Sequence, residues 1–280
     1  MAIKKQGVLL YVFLFALLLV AIYLGNYYSP VASEGGKTGK WGYIAIGFIA
    51  EVVNGAIGMA YGVTTTTLLL ASGIAPAFTV IIVHILEVFT AGATGLFHLR
   101  MGNVNKKLFK FLLIPGIIGA IIGACVLFWL KDYVNIIKPV ISGYILLLGI
   151  VILYRAFRKI TTVKKIKAIF PLGIIAGFLD SIGGGGWSTI VSSTLIAGGR
   201  NARYTIGSVI LSRFFVALVS STTLITLIGF TNWYVVAWLV VGGLVGSPIG
   251  PYLAKHIPIK ITMVLVAIAV ILISLKQILF

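Results

Sequence analysis

Glu51, Glu87, Asp180 and Arg213 are charged residues set inside long apolar stretches of a 280-residue chain. A charge near the middle of a bilayer costs roughly 3 kcal/mol unless it is paired or hydrated, so each is expected either to function or to sit in a buried ion pair. Glu87 and Arg213 are separated by 126 residues, the same interval as Asn54 and Asp180, and at that offset residues 47–73 and 173–199 share seven identities in 27 positions, two copies of one segment. Two readings follow for the Glu87/Arg213 pair. It is a salt bridge joining two related halves, or Arg213 attracts an anionic substrate while Glu87 tunes it or carries a coupled proton. His84, one helical turn from Glu87, is placed to shuttle protons, and Glu51 belongs with them as a proton-coupling or ion-pairing group. Asp180 and Asn54 are of the residue types that cap helix N-termini, a role that competes with titration.

The most unusual local sequence is Gly183-Gly184-Gly185-Gly186-Trp187. Four glycines free the backbone to unwind, and a helix resuming at Trp187 presents its positive dipole end, which suits an anion. Ser188, Thr189, Ser192 and Ser193 add hydroxyl donors. Gly55, Gly58 and Gly62, with Tyr61 and Thr64–Thr67, offer a weaker version in the first copy. The same glycines would also serve a tight hairpin tip with no anion attached. No P-loop or dinucleotide motif is present, because no Gly-Lys-Ser/Thr follows. No nucleophile–base constellation surrounds any serine or threonine, so an enzyme is not expected. No ligand pair at metal spacing recurs, and neither a metal nor a cofactor is expected. His98 and His256 fall near span ends, where interfacial placement explains them.

These residues need elements to hold them. A composition of 60% hydrophobic and 10% charged residues, with mean hydropathy +1.15, implies a polytopic helical membrane protein. Runs such as 8–24 and 259–275 are continuously apolar at helix length, which excludes a β-barrel. The net charge of +17 resides largely in short loops, so it reads as a topology signal rather than as a nucleic-acid surface. The single cysteine, Cys125, excludes a disulfide framework.

Apolar segments lie at about 8–25, 41–72, 78–99, 109–130, 134–154, 168–198, 204–230, 233–253 and 259–279. Segments 41–72 and 168–198 exceed the ~20 residues of a simple span and are interrupted by glycines and polar groups. If all nine crossed from a cytoplasmic N-terminus, the basic loops 100–110 and 155–167 would face outward, against the positive-inside rule. An outside N-terminus would rescue those loops but strand Lys4/Lys5, Arg200/Arg203 and Lys255/Lys260. Treating 41–72 and 168–198 as re-entrant hairpins puts most basic residues inside. The expected fold is therefore all-α, with about seven transmembrane helices plus two re-entrant helical hairpins in two inverted repeats. Residues 1–33 are expected to form a retained signal-anchor helix with its N-terminus cytoplasmic, the alternative being a cleaved signal peptide; 41–154 is expected to be the first repeat, 155–167 a basic cytoplasmic linker and 168–280 the second repeat. Gly116-x-x-Gly119-x-x-x-Gly123 and its counterpart Gly243-x-x-Gly246-x-x-x-Gly250 read as helix-packing stripes.

The glycine-run-Trp segment, Gly177-Phe-Leu-Asp180-Ser-Ile-Gly-Gly-Gly-Gly-Trp187, with its partner around Asn54–Tyr61, resembles the sulfite exporter TauE/SafE family of membrane permeases. The resemblance runs from about residue 41 onward. It implies transport of a small sulfur-containing anion, such as sulfite, thiosulfate or an organosulfonate, across a prokaryotic cytoplasmic membrane. The family motif falls on Asn54 and Gly58 in the first half and on Asp180, Gly183–Gly186 and Trp187 in the second.

The substrate site expected from both lines comprises Asn54, Gly58, Tyr61, Thr64, Asp180, Gly183, Gly184, Gly185, Gly186, Trp187, Ser188 and Arg213. The second half is expected to contribute more of the grip on the anion. The partners are the anion, the lipid bilayer and a coupled proton; no nucleic acid is involved. The rival reading is an anion channel with the hairpins as a static filter.

Overall fold

The computed structural model describes residues 39–57, 59–157, 168–230, 232–246, 249 and 258–279. The N-terminal anchor, Gly58 and most of the basic linker lie outside them. Among the described residues there are ten helices and no strand. In chain order they are α1 (Lys40–Ile57), α2 (Tyr61–Ala71), α3 (Pro76–Arg100), α4 (Lys106–Leu130), α5 (Val134–Phe157), α6 (Ile169–Gly183), α7 (Trp187–Ala197), α8 (Ala202–Ile228), α9 (Trp233–Gly246) and α10 (Ile259–Leu279).

Five of them, α3, α4, α5, α8 and α10, are long and apolar enough to cross a bilayer. At 25 residues, α3 rises about 37 Å against a hydrocarbon core of about 30 Å. The chain is a polytopic helical membrane protein. By contrast α2 and α7 have 11 residues each, about 16 Å of helix, and cannot span alone. The two long interrupted segments of the sequence are thus two broken-helix pairs, α1/α2 and α6/α7.

Local chemistry fixes the ends. Pro76 opens α3, where its missing N–H is no loss. Asn105 caps α4 by accepting from the Leu108 N–H at 3.0 Å, and Asn201 does the same for α8 from Tyr204. Gly184, in the left-handed conformation at φ 67°, stops α6. At the first break the left-handed residue preceding α2 is Ala60, φ 71°, a conformation that L side chains adopt at a cost.

The small-residue stripes bring backbones together. A Cβ on Gly119 would strike the Ile174 carbonyl, and one on Gly177 the Gly116 carbonyl, so α4 and α6 touch main chain to main chain. Gly242 meets Ile44 and Gly47 meets Leu239 in the same manner, joining α9 to α1. The outward face of α4 carries Ile114, Ile118, Ile121 and Ile122, a lipid-facing belt opposite the glycine stripe. α3 packs against α8, α5 against α10, and α4 also against α8.

Candidate substrate and ion site

Both helix breaks converge on one buried region. A Cβ on Gly185 would lie 2.5 Å from the Gly62 carbonyl carbon and 2.6 Å from the Val63 nitrogen, so the second break lies directly on the first turn of α2. Thr66 Oγ1 donates to the Gly184 carbonyl at 2.5 Å. From α5, Tyr144 donates its hydroxyl to the Gly185 carbonyl at 2.8 Å, and its ring covers Gly183 so closely that no side chain would fit there. The glycines are therefore required by close approach as well as by backbone conformation.

The donors of this loop are engaged from within. Asp180 accepts the Trp187 N–H through Oδ1 at 2.7 Å, capping α7, while the Gly184 and Gly185 N–H groups donate to the Asp180 carbonyl. A carboxylate thus occupies the N-terminal end of α7, the position where the dipole favours an anion. Arg213, from α8, forms an ion pair with Glu87, from α3, through Nη2 and Oε1. Its Nη1 lies 3.5 Å from the Ser188 hydroxyl, and its guanidinium is 5.7 Å from the centre of the Tyr61 ring. Glu87, Arg213, Asp180, Ser188 and Tyr61 are all buried.

His84 stands between the two carboxylates. Its Nδ1 is 3.6 Å from Glu87 Oε2 and 3.9 Å from Asp180 Oδ2. One ligand-type atom from each of the three residues lies within 4.8 Å of the others, a spacing able to hold a metal ion. Sequence spacing did not reveal this trio, because Asp180 joins from another helix.

Other expected site residues are dispersed. Trp187 is fully buried, with its indole N–H donating to the Val209 carbonyl at 3.1 Å and its ring against Gly116; it is a core residue of the α4/α8 interface. Asn54 donates to Glu51 Oε1 at 3.3 Å, within the first break's own helix. Glu51 and Tyr61 line a cavity of about 70 Å³ with Leu86, Phe89 and Thr90 of α3 and Gly243 of α9. Thr64 faces a separate apolar cavity of about 210 Å³ beside α10. Sequence reasoning did not single out Tyr144. A lone hydroxyl-tipped aromatic in the aliphatic stretch 141–152 was the available signal.

The sulfite exporter TauE/SafE model matches residues 43–277, which includes both breaks and every element around the ion pair. The chain belongs to the sulfite exporter TauE/SafE family. It is similar to the probable membrane transporter protein YtnM of Bacillus subtilis (strain 168), with 38% identity over 241 residues, 82% of this chain and 80% of that relative. No solved structure matches. Membership in the family makes the buried charges those of a membrane transporter.

Proposed function

We propose that this chain is a secondary transporter that moves a small sulfur-containing anion, such as sulfite, thiosulfate or an organosulfonate, across the cytoplasmic membrane by alternating access. The observation that carries the reading is the buried Arg213–Glu87 pair beside the N-terminus of α7. A guanidinium, a serine hydroxyl and a helix N-terminus in one low-dielectric region are the donors an oxyanion needs in place of its hydration shell. Glu87 and Asp180 hold these donors in the conformation described. An entering anion competes with Glu87 for Arg213, and a proton taken up by Glu87, through His84 or Glu51, would release the guanidinium. Anion and proton would then move together. The hydroxyls of Ser188 and Tyr61 complete the contact, while Gly183–Gly186 shape the loop.

The same reading carries the topology of seven spans, two re-entrant hairpins and a cytoplasmic N-terminus, with inverted repeats at 41–154 and 168–280. The packing supports it. α4 of the first repeat rests on α6 of the second, and α9 of the second rests on α1 of the first, while the equivalent helices α3 and α8 pair with each other, as do α5 and α10. A two-fold relation between the repeats would generate this reciprocal pattern.

Proteoliposomes carrying the purified protein test the function. Uptake of sulfite, thiosulfate, sulfonates, sulfate and carboxylates is measured at two pH values. Saturable uptake selective for sulfur anions, with counterflow, is expected. Flux that rises without saturation would assign a channel, and the absence of any sulfur-anion flux would remove the substrate class.

A further inference from the structure

We propose that His84, Glu87 and Asp180 form a binding site for a divalent transition-metal ion of the zinc, cobalt or manganese class, buried where α3 meets α6. The inference does not depend on which anion is carried; a bound ion would take the place of the proton on His84 and Glu87 and leave Glu51 as the coupling group. Its first support is geometric. The His84 Nδ1 edges of 3.6 and 3.9 Å exceed the ~3.2 Å limit of an ordinary hydrogen bond. An ion about 2.0–2.2 Å from each ligand sets neighbouring ligand atoms about 3.3–3.6 Å apart in a tetrahedral arrangement. The trio, all within 4.8 Å, reaches that spacing by closing inward by up to about 1.2 Å.

The second support is the state of the free atoms. Each carboxylate is fixed through one oxygen, Glu87 Oε1 by Arg213 and Asp180 Oδ1 by the Trp187 N–H. The other oxygen of each, Oε2 and Oδ2, is buried without a hydrogen-bond partner, as are both ring nitrogens of His84. The two residues of α3 and Asp180 of α6 are fully buried. Carboxylates oriented by one oxygen while the second faces a shared point follow the outer-shell pattern of metal sites. Leaving such atoms unmatched in the core is unfavourable, and an ion between them would satisfy all three.

Charge and donor type select the ion. With neutral His84, the two carboxylates and Arg213 sum to a single negative charge. A divalent ion turns this into a single positive charge, beside which an anion is stabilised. The imidazole nitrogen disfavours sodium, magnesium and calcium, which prefer all-oxygen shells.

The test uses the full-length protein in nanodiscs, stripped with EDTA, reloaded with Co²⁺ or Zn²⁺ and dialysed. Metal is counted by mass spectrometry, and the Co²⁺ visible spectrum reports its ligands. Wild type is expected to retain about one ion per chain, with the intense bands of a low-coordinate Co²⁺ site and no displacement by excess Mg²⁺. H84A and D180N are each expected to weaken retention at least about tenfold, whereas H98A retains it. Asn at 180 still offers an acceptor to Trp187, so D180N separates metal loss from loss of the cap. No retained metal in wild type, displacement by Mg²⁺, or undiminished retention in both H84A and D180N would overturn the site. Should both variants fail to fold, the wild-type spectrum and Mg²⁺ competition decide. Anion uptake measured separately after EDTA treatment distinguishes failure of this site from failure of the transport reading.

Discussion

At the scale of single residues, the Glu87–Arg213 pair must be separated into what it does for stability and what it does for an anion. Removing one partner leaves the other charge buried alone, a loss of about 3–5 kcal/mol, whereas replacing both by neutral groups is often close to neutral. R213Q is therefore expected to lower the thermal midpoint in detergent and to abolish anion uptake. E87Q/R213Q should recover most of the midpoint yet remain inactive. If uptake returns together with stability, Arg213 is a strut and not the anion's partner. Glu51 poses a different question, because its Oε2 has no hydrogen-bond partner beside a cavity that Tyr61 shares. Asn54 can still bond a glutamine there, so E51Q should fold normally. It is expected to keep anion counterflow while losing acceleration by a pH gradient; intact proton-driven uptake in E51Q would exclude it from coupling. The sequence made these charges conspicuous because so few sit in apolar stretches. It could not show that Asp180 reaches His84, nor that Trp187 turns into the α4/α8 core, because both facts depend on which helices pack together.

At the scale of elements, the two breaks were readable from glycine and polar content, and their positions agree with α1/α2 and α6/α7. Their mutual contact was not readable, since nothing local in Gly62 or Gly185 specifies a partner more than a hundred residues away. That contact sets the next prediction. Gly185 has φ 154° and no room for a side chain against Gly62 and Val63. G185A is expected to cost about 2 kcal/mol or more, from overpacking and backbone strain combined. G143A is the control: nothing lies within 4 Å of its added methyl group, and the helix interior favours alanine over glycine by up to about 1 kcal/mol. Fluorescence-detected thermal unfolding of the two variants should therefore move in opposite directions. Equal midpoints would mean that the breaks separate readily and do not brace each other. D180A, which removes the acceptor for the Trp187 N–H, should lose about 1 kcal/mol from the cap alone, and D180N should restore that part.

At the scale of the whole molecule, the packing regroups the chain across its two halves. α1, α2 and α3 are joined by α9, and α6, α7 and α8 are joined by α4, so each compact group borrows one helix from the other half of the chain. Hydropathy and loop charge supplied the helices and an expected inversion, but this exchange follows from glycine stripes whose partners no sequence pattern names. The two groups meet along α3 and α8, and the Glu87–Arg213 pair lies in that seam. Alternating access requires the seam to shift, whereas a static filter does not. Gly95 and Leu211 offer a way to hold it: a Cβ built on Gly95 lies 3.2 Å from the Leu211 Cα, which brings the two positions within reach of a disulfide. In a variant with Cys125 replaced by alanine, G95C/L211C is expected to cross-link under mild oxidation. Uptake in proteoliposomes should then fall to background and return on reduction, while each single cysteine variant remains active under oxidant. Leu211 lies two residues from Arg213, so anion binding, measured by isothermal titration on the oxidised protein, separates a blocked motion from a damaged site. Binding retained with transport lost is the signature of a moving seam. Transport that continues through the cross-linked protein would mean that α3 and α8 do not move against each other, and would favour a fixed pathway between the breaks.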